Sequence, residues 1–74
     1  MTEKQIAELR SLGEAYPRQQ ARVRELLGQY KAIGPAGSFG AAMIEDVLRR
    51  ADVAVMEQDL PAMIRLYREM QEIE

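Results

Sequence analysis

Apolar residues recur at three- and four-residue steps along almost the whole chain, which is the spacing of helix faces. No run alternates apolar and polar residues as a half-buried strand would. Ile6, Leu9, Leu12 and Tyr16 make the first stripe. Thr2, followed three residues later by Gln5, reads as a capping box that opens this helix, expected over residues 1–16 and weakened by Gly13. Pro17 has no backbone N–H and disfavours the α conformation at Tyr16, so a break is predicted there. Pro17 suits the first turn of a second helix over 17–33, with Val23, Leu26, Leu27, Tyr30 and Ile33 on its apolar face. A single kinked helix over 1–33 is the alternative.

The run Gly34-Pro35-Ala36-Gly37-Ser38-Phe39-Gly40 interrupts the pattern. Gly34 suits the position just past a helix end, Pro35 stops the helix, and Ser38 can cap the next one. A third helix is predicted over 39–58. Met43, Val47, Ala51, Ala54 and Val55 form one face of it, with Ile44 and Leu48 beside them. Ala41, Ala42, Ala51 and Ala54 are small enough to admit a close neighbour. Asp59 reads as the N-cap of a fourth helix over 60–74, with Pro61 in its first turn. Its stripe, Leu60, Met63, Ile64, Tyr67 and Met70, is widened by Leu66 and Ile73, so it is expected to meet two neighbours. The fold class is therefore all-α. It has three to four helices, a Pro-broken N-terminal segment and an antiparallel hairpin of the third and fourth helices.

Seventy-four residues make one small domain with a thin core. There is no cysteine for a disulfide, and neither histidine nor cysteine for a structural zinc. Association is the remaining common remedy, so a homo-oligomeric bundle is expected. Absence of cysteine fits a reducing compartment. No apolar run approaches the roughly 20 residues of a membrane span, and the stretch after Met1 does not read as a signal peptide. A cytoplasmic protein without a membrane partner is the expectation.

Charge is unevenly spread. Residues 1–33 carry six Lys/Arg against four Glu, and residues 34–74 carry four Arg against eight Asp/Glu. No acid occurs between Glu14 and Glu25, which makes Arg18, Arg22 and Arg24 the most basic segment. The net charge of −2 and the lack of interleaved aromatics make nucleic acid an improbable partner.

Catalysis has little to work with. Without histidine or cysteine, the remaining hydroxyls (Thr2, Ser11, Ser38 and three tyrosines) have no readable triad partner. Glu45, Asp46, Asp52, Glu57 and Asp59 follow solvent-face spacing rather than a metal-ligand pattern. No enzyme, cofactor or metal is expected.

The Gly-rich run admits two readings. A helix N-terminus carries partial positive charge and attracts anions. Gly34, Pro35, Gly37, Ser38, Phe39 and Gly40 would then cradle an anionic group, with Phe39 stacking on a base and Arg18 and Arg22 arriving from a neighbouring subunit. The run lacks the lysine of a P-loop and follows no strand. In the structural reading the glycines permit a sharp turn and close packing, and Phe39 is anchored in the core. Met43, Met56, Met63 and Met70, at helical spacing, read as core or as an adaptable partner surface.

Ile33-Gly34-Pro35-Ala36-Gly37-Ser38-Phe39-Gly40-Ala41-Ala42-Met43-Ile44, with Leu48, Ala51-Asp52, Ala54 and Ala62-Met63-Ile64, resembles small proteins of tailed bacteriophages and prophages. The likeness covers about residues 30–74. Gln58-Asp59 departs from it where Gly-Asp is expected. The resemblance implies a bacterial cytoplasmic setting and an accessory role in infection or lysogeny, exerted by stoichiometric binding. The expectation is a non-enzymatic binding protein that antagonises a host defence or regulatory system, in its sharper form by sequestering an anionic, nucleotide-like molecule at the Gly-rich run. The alternatives are an inhibitor of a host protein that uses an exposed helix face, and a nucleic-acid accessory factor.

Overall fold

The computed structural model describes residues 2–74, apart from the side chains of Gln5, Glu8 and Leu9. The described residues form three α-helices and no strand: α1, Glu3–Ala32; α2, Ser38–Met56; α3, Leu60–Glu72. A 3-10 turn, Pro35–Gly37, leads from α1 into α2.

The predicted break at Pro17 does not occur; α1 runs through it. Proline removes one ladder hydrogen bond, to the carbonyl four residues back at Gly13. Gly13 and Pro17 are both exposed, so that carbonyl lies on the watery side of the helix. The preceding residue, Tyr16, is held against its local preference by tertiary packing. It is 2% exposed, and its hydroxyl donates to the Ala51 carbonyl at 2.9 Å. Burial pushes the Tyr16 phenol above its ordinary value, and the nearby Asp52 charge adds to the shift. At the start of α1 the Ile6 N–H donates to the Thr2 carbonyl at 3.0 Å. The Gln5 half of the expected capping box, and Leu9 of the first stripe, lie outside the described side chains.

Each helix packs on both others. The shared core is Leu12, Tyr16 and Val23 of α1, Ile44, Val47, Leu48, Ala51 and Ala54 of α2, and Leu66 and Met70 of α3. Ala51 and Ala54 are buried in this core, at 0% and 3% exposure. Three expected core positions face out instead: Met43, Val55 and Ile33. On α3 the buried seam moves from Leu60 and Ile64, which are exposed, to Leu66 and Met70.

Contacts fix the relative directions of the helices. Tyr16 meets Ala51 while Lys31 meets Glu45, at 3.0 Å, so α1 and α2 run in opposite senses. Arg22 meets Met70 and Ile73 while Tyr30 meets Glu74, so α3 runs with α1. The rim is laced by exposed pairs, Arg24–Asp52 at 3.6 Å and Arg50–Glu69 at 3.1 Å, each worth about 0–1 kcal/mol.

The turn from α2 to α3 is a left-handed helix stop. Gln58 has φ 54°. The Asp59 N–H donates to Ala54 at 3.0 Å, and the Gln58 N–H donates to Val55 at 3.1 Å, the pattern that closes the last carbonyls of a helix. Asp59 then caps α3, its carboxylate accepting from the Ala62 N–H at 3.2 Å, as the sequence predicted.

α1 is longer than the other helices. Its 30 residues span ~45 Å at 1.5 Å each, close to the 48 Å length of the whole molecule. Ala51 lies level with Tyr16, so α2, ending at Met56, stops level with about residue 11. Every described side chain from Thr2 to Ser11 is exposed. This N-terminal part of α1 projects past the bundle as an arm.

Candidate functional site

The Gly34–Gly40 corner is built on Tyr30. Gly34 has φ 87° and ψ −147°, a backbone state open essentially to glycine, and its N–H donates to Lys31 at 3.1 Å. The Gly37 N–H then donates back to Gly34 at 2.9 Å. A Cβ on Gly37 would fall 2.1 Å from the Tyr30 carbonyl oxygen, and one on Gly40 would fall 2.6 Å from the Tyr30 ring. The Tyr30 hydroxyl donates to the Glu74 carbonyl at 2.8 Å, which ties this corner to the end of the chain. These two glycines therefore have a packing role, as the structural reading expected.

Ser38 does not cap α2. It is the first residue of that helix, and its hydroxyl donates backward to the Pro35 carbonyl at 2.9 Å. The helix start has no side-chain cap. Pro35 is exposed and opens the 3-10 turn.

Phe39 overturns the other half of the structural reading. It is 78% exposed and is not part of the core. One helical turn on, Met43 is 57% exposed, and Ile33, just before the corner, is 61% exposed. Phe39 and Met43 stand four residues apart, so they share one face of α2. Sequence reasoning placed Met43 in the core because its spacing to Val47 fits a stripe. The same four-residue step relates Met43 to exposed Phe39 and to buried Val47, so spacing alone does not choose between the two sides.

The two arginines expected at the site are elsewhere in the protomer. Arg22 is half-buried, and its guanidinium donates to the carbonyls of Ile73, at 2.9 Å, and Met70, with Nε on Gln19. It closes the C-terminal end of α3, where helix carbonyls lack partners. Arg18 is exposed, and along α1 it lies ~18 Å from Tyr30 at 1.5 Å per residue. A single copy thus brings neither arginine to the corner. The cation nearest to it in sequence is Lys31, paired with Glu45.

Beside Gly40 runs a shallow groove of about 320 Å³. Tyr30, Met43, Ile44 and Val47 line one side, and Glu69, Glu72 and Ile73 the other. Its floor is apolar; of its two carboxylates Glu69 is paired with Arg50, and Glu72 forms no ion pair among the described residues. Nothing in the sequence points to this groove, which depends on how α3 lies against α2. Among the described residues no carboxylates gather into a set that could hold a metal, and no helix is long and apolar enough to cross a membrane.

No family model, curated protein or solved structure matches this chain.

Proposed function

We propose that this chain is a non-enzymatic binding protein of the phage accessory kind, acting in the bacterial cytoplasm to antagonise a host defence or regulatory system by stoichiometric capture. Its working form is a homo-oligomeric bundle built on the α2–α3 hairpin. The observation that supports this reading is the exposure of Phe39, the only phenylalanine, held out at the start of α2 beside Ile33 and Met43. An apolar cluster kept in water has no folding role and suits a surface that is covered in use.

In its sharper form the captured molecule is anionic and nucleotide-like. Phe39 stacks on its base, and the backbone of Gly34, Pro35, Gly37, Ser38 and Gly40 faces its polar groups. Arg22 already serves the end of α3, so the cation in this form is Arg18 of a second copy. Titration calorimetry against cyclic and ADP-ribose-type nucleotides tests it. Heat that disappears in both Phe39→Ala and Arg18→Ala supports the form, and no heat at high protein concentration removes it.

A second reading, capture of a host protein, is favoured by the groove. Its apolar floor and the Glu72 carboxylate suit an apolar anchor flanked by a basic residue better than a phosphate, Glu69 being paired already with Arg50. This reading expects binding that survives Arg18→Ala and is lost in Glu72→Lys.

A further inference from the structure

The groove beside Gly40 and the exposed Phe39 belong to one surface. Met43 lines the groove and stands one helical turn from Phe39 on the same face of α2. On the α2 side the groove is walled by Gly40, Met43, Ile44 and Val47, which repeat at helical spacing over about two turns. Its far wall is the end of α3, where the charge runs against the helix. Helix C-termini favour cations, because their free carbonyls carry partial negative charge. α3 has no basic residue in its last turn; Glu69 and Glu72 stand there instead, and Glu74 follows. Glu69 is paired with Arg50, whereas Glu72 and Glu74 form no ion pair among the described residues. Two unpaired carboxylates at the negative end of a helix dipole weaken α3 in the free chain. A cation brought from outside would relieve them.

We infer that the groove takes a basic amphipathic helix of a partner protein, its apolar side chains set between α2 and α3 and a lysine or arginine against Glu72. The inference rests on the reading of the groove as the capture site and names what fills it. Charge complementarity selects a basic partner, because no Lys or Arg lines the groove and Glu72 is its unpaired charge. The backbone selects a helix. An extended segment gains affinity by pairing with a sheet edge, and the described residues contain no strand. α2 and α3 run in opposite senses, and a helix laid along the gap between them presents residues at i, i+3, i+4 and i+7 to the groove in turn. At about 320 Å³ the groove is at the small end of ligand pockets, a size for anchoring side chains. Phe39 and Met43 extend the apolar contact along its rim.

Fluorescence anisotropy with labelled peptides of about 18 residues, long enough to form a helix, tests the inference. The first peptide carries leucine at i, i+3, i+4 and i+7 spacing with lysine on the flanks. The second has glutamate in place of lysine, and the third has the first one's composition in strict leucine–lysine alternation. Met43 and Glu72 are exposed, so Met43→Asp and Glu72→Lys keep the fold, as circular dichroism checks. The expected result is that the wild type binds the first peptide about ten-fold or more tighter than either control, with a loss of about that size in both variants. Glu57→Lys, at the other end of α2, leaves this binding unchanged. Equal binding of the first and third peptides, lost in Glu72→Lys, overturns the helix and leaves the groove as the capture site. Binding that does not depend on Glu72, or that Glu57→Lys weakens equally, overturns this inference and the groove reading together. Self-association of the protein alone in sedimentation velocity, abolished by Glu72→Lys, gives the groove to a second copy and overturns the partner helix.

Discussion

Gly40 lies against the ring of Tyr30 so closely that a single methyl group on it would meet two ring carbons at 2.6 Å. Gly37 makes the tighter approach, to the Tyr30 backbone, where no rotamer change can make room. Gly37→Ala and Gly40→Ala are therefore both expected to destabilise the fold, by about 1–3 kcal/mol as overpacking does. The Gly37 variant is expected to lose more, because a ring can shift where a carbonyl held in a helix cannot. Thermal melts of the two variants rank them. Equal stability to wild type in both would mean that the corner does not pack as described.

Arg22 connects the middle of α1 to the end of α3 by donating to the carbonyls of Met70 and Ile73. Replacing it by alanine leaves those carbonyls without the donor. Charge-assisted bonds of this kind contribute about 1.5–3 kcal/mol when buried, and the half-buried setting here suggests ~1–2 kcal/mol. Hydrogen exchange is expected to show faster amides over residues 70–74 in Arg22→Ala, with α2 unchanged.

Tyr16 gives the fold an alkaline limit. Its pKa is raised in the folded chain by burial and by the Asp52 charge. An unfolded tyrosine ionises near pH 10. A group whose folded value lies above its unfolded one contributes stability that is fully present below the unfolded value and is lost as pH rises through the folded value. Denaturant melts of the wild type are thus expected to weaken above about pH 10. Tyr16→Phe should be less stable at neutral pH by about 1 kcal/mol, the value of one buried hydrogen bond, and should lack this alkaline step.

Gln58 holds φ 54° at the end of α2, a state that costs an L-residue roughly 1–2 kcal/mol and glycine almost nothing. Gln58→Gly keeps the two backbone bonds of the turn, from Asp59 to Ala54 and from Gln58 to Val55. Part of the gain is offset by the greater freedom of glycine in the unfolded chain. A net stabilisation of about 0.5–1 kcal/mol is expected, read as a higher melting temperature.

The helical class, the Gly-rich corner and the Asp59 cap were legible because each rests on local chemistry: a 3.6-residue period, a glycine–proline stop, a carboxylate three residues before the N–H it accepts from. Pro17 misled for the same reason. Its local effect is real, and the burial of Tyr16 against Ala51, thirty-five residues away, outweighs it. The same limit applies at the candidate site. Periodicity cannot say which side of a wide stripe faces inward, so Met43 and Ile33 were placed inside and stand outside. Nor could charge pattern alone show that Arg22 belongs to the end of α3, because that contact depends on how the third helix returns along the first.

The claim that the Phe39 end captures a molecule is tested most directly by native mass spectrometry of wild type and Phe39→Ala, each purified gently from bacteria and then exposed to a bacterial extract. Phe39 makes no core contact, so the variant is expected to fold with an unchanged melting temperature. The account predicts a homo-oligomer carrying added non-covalent mass in the wild type, and the same oligomer without that mass in Phe39→Ala. Added mass retained by the variant, or absent from the wild type, would contradict it.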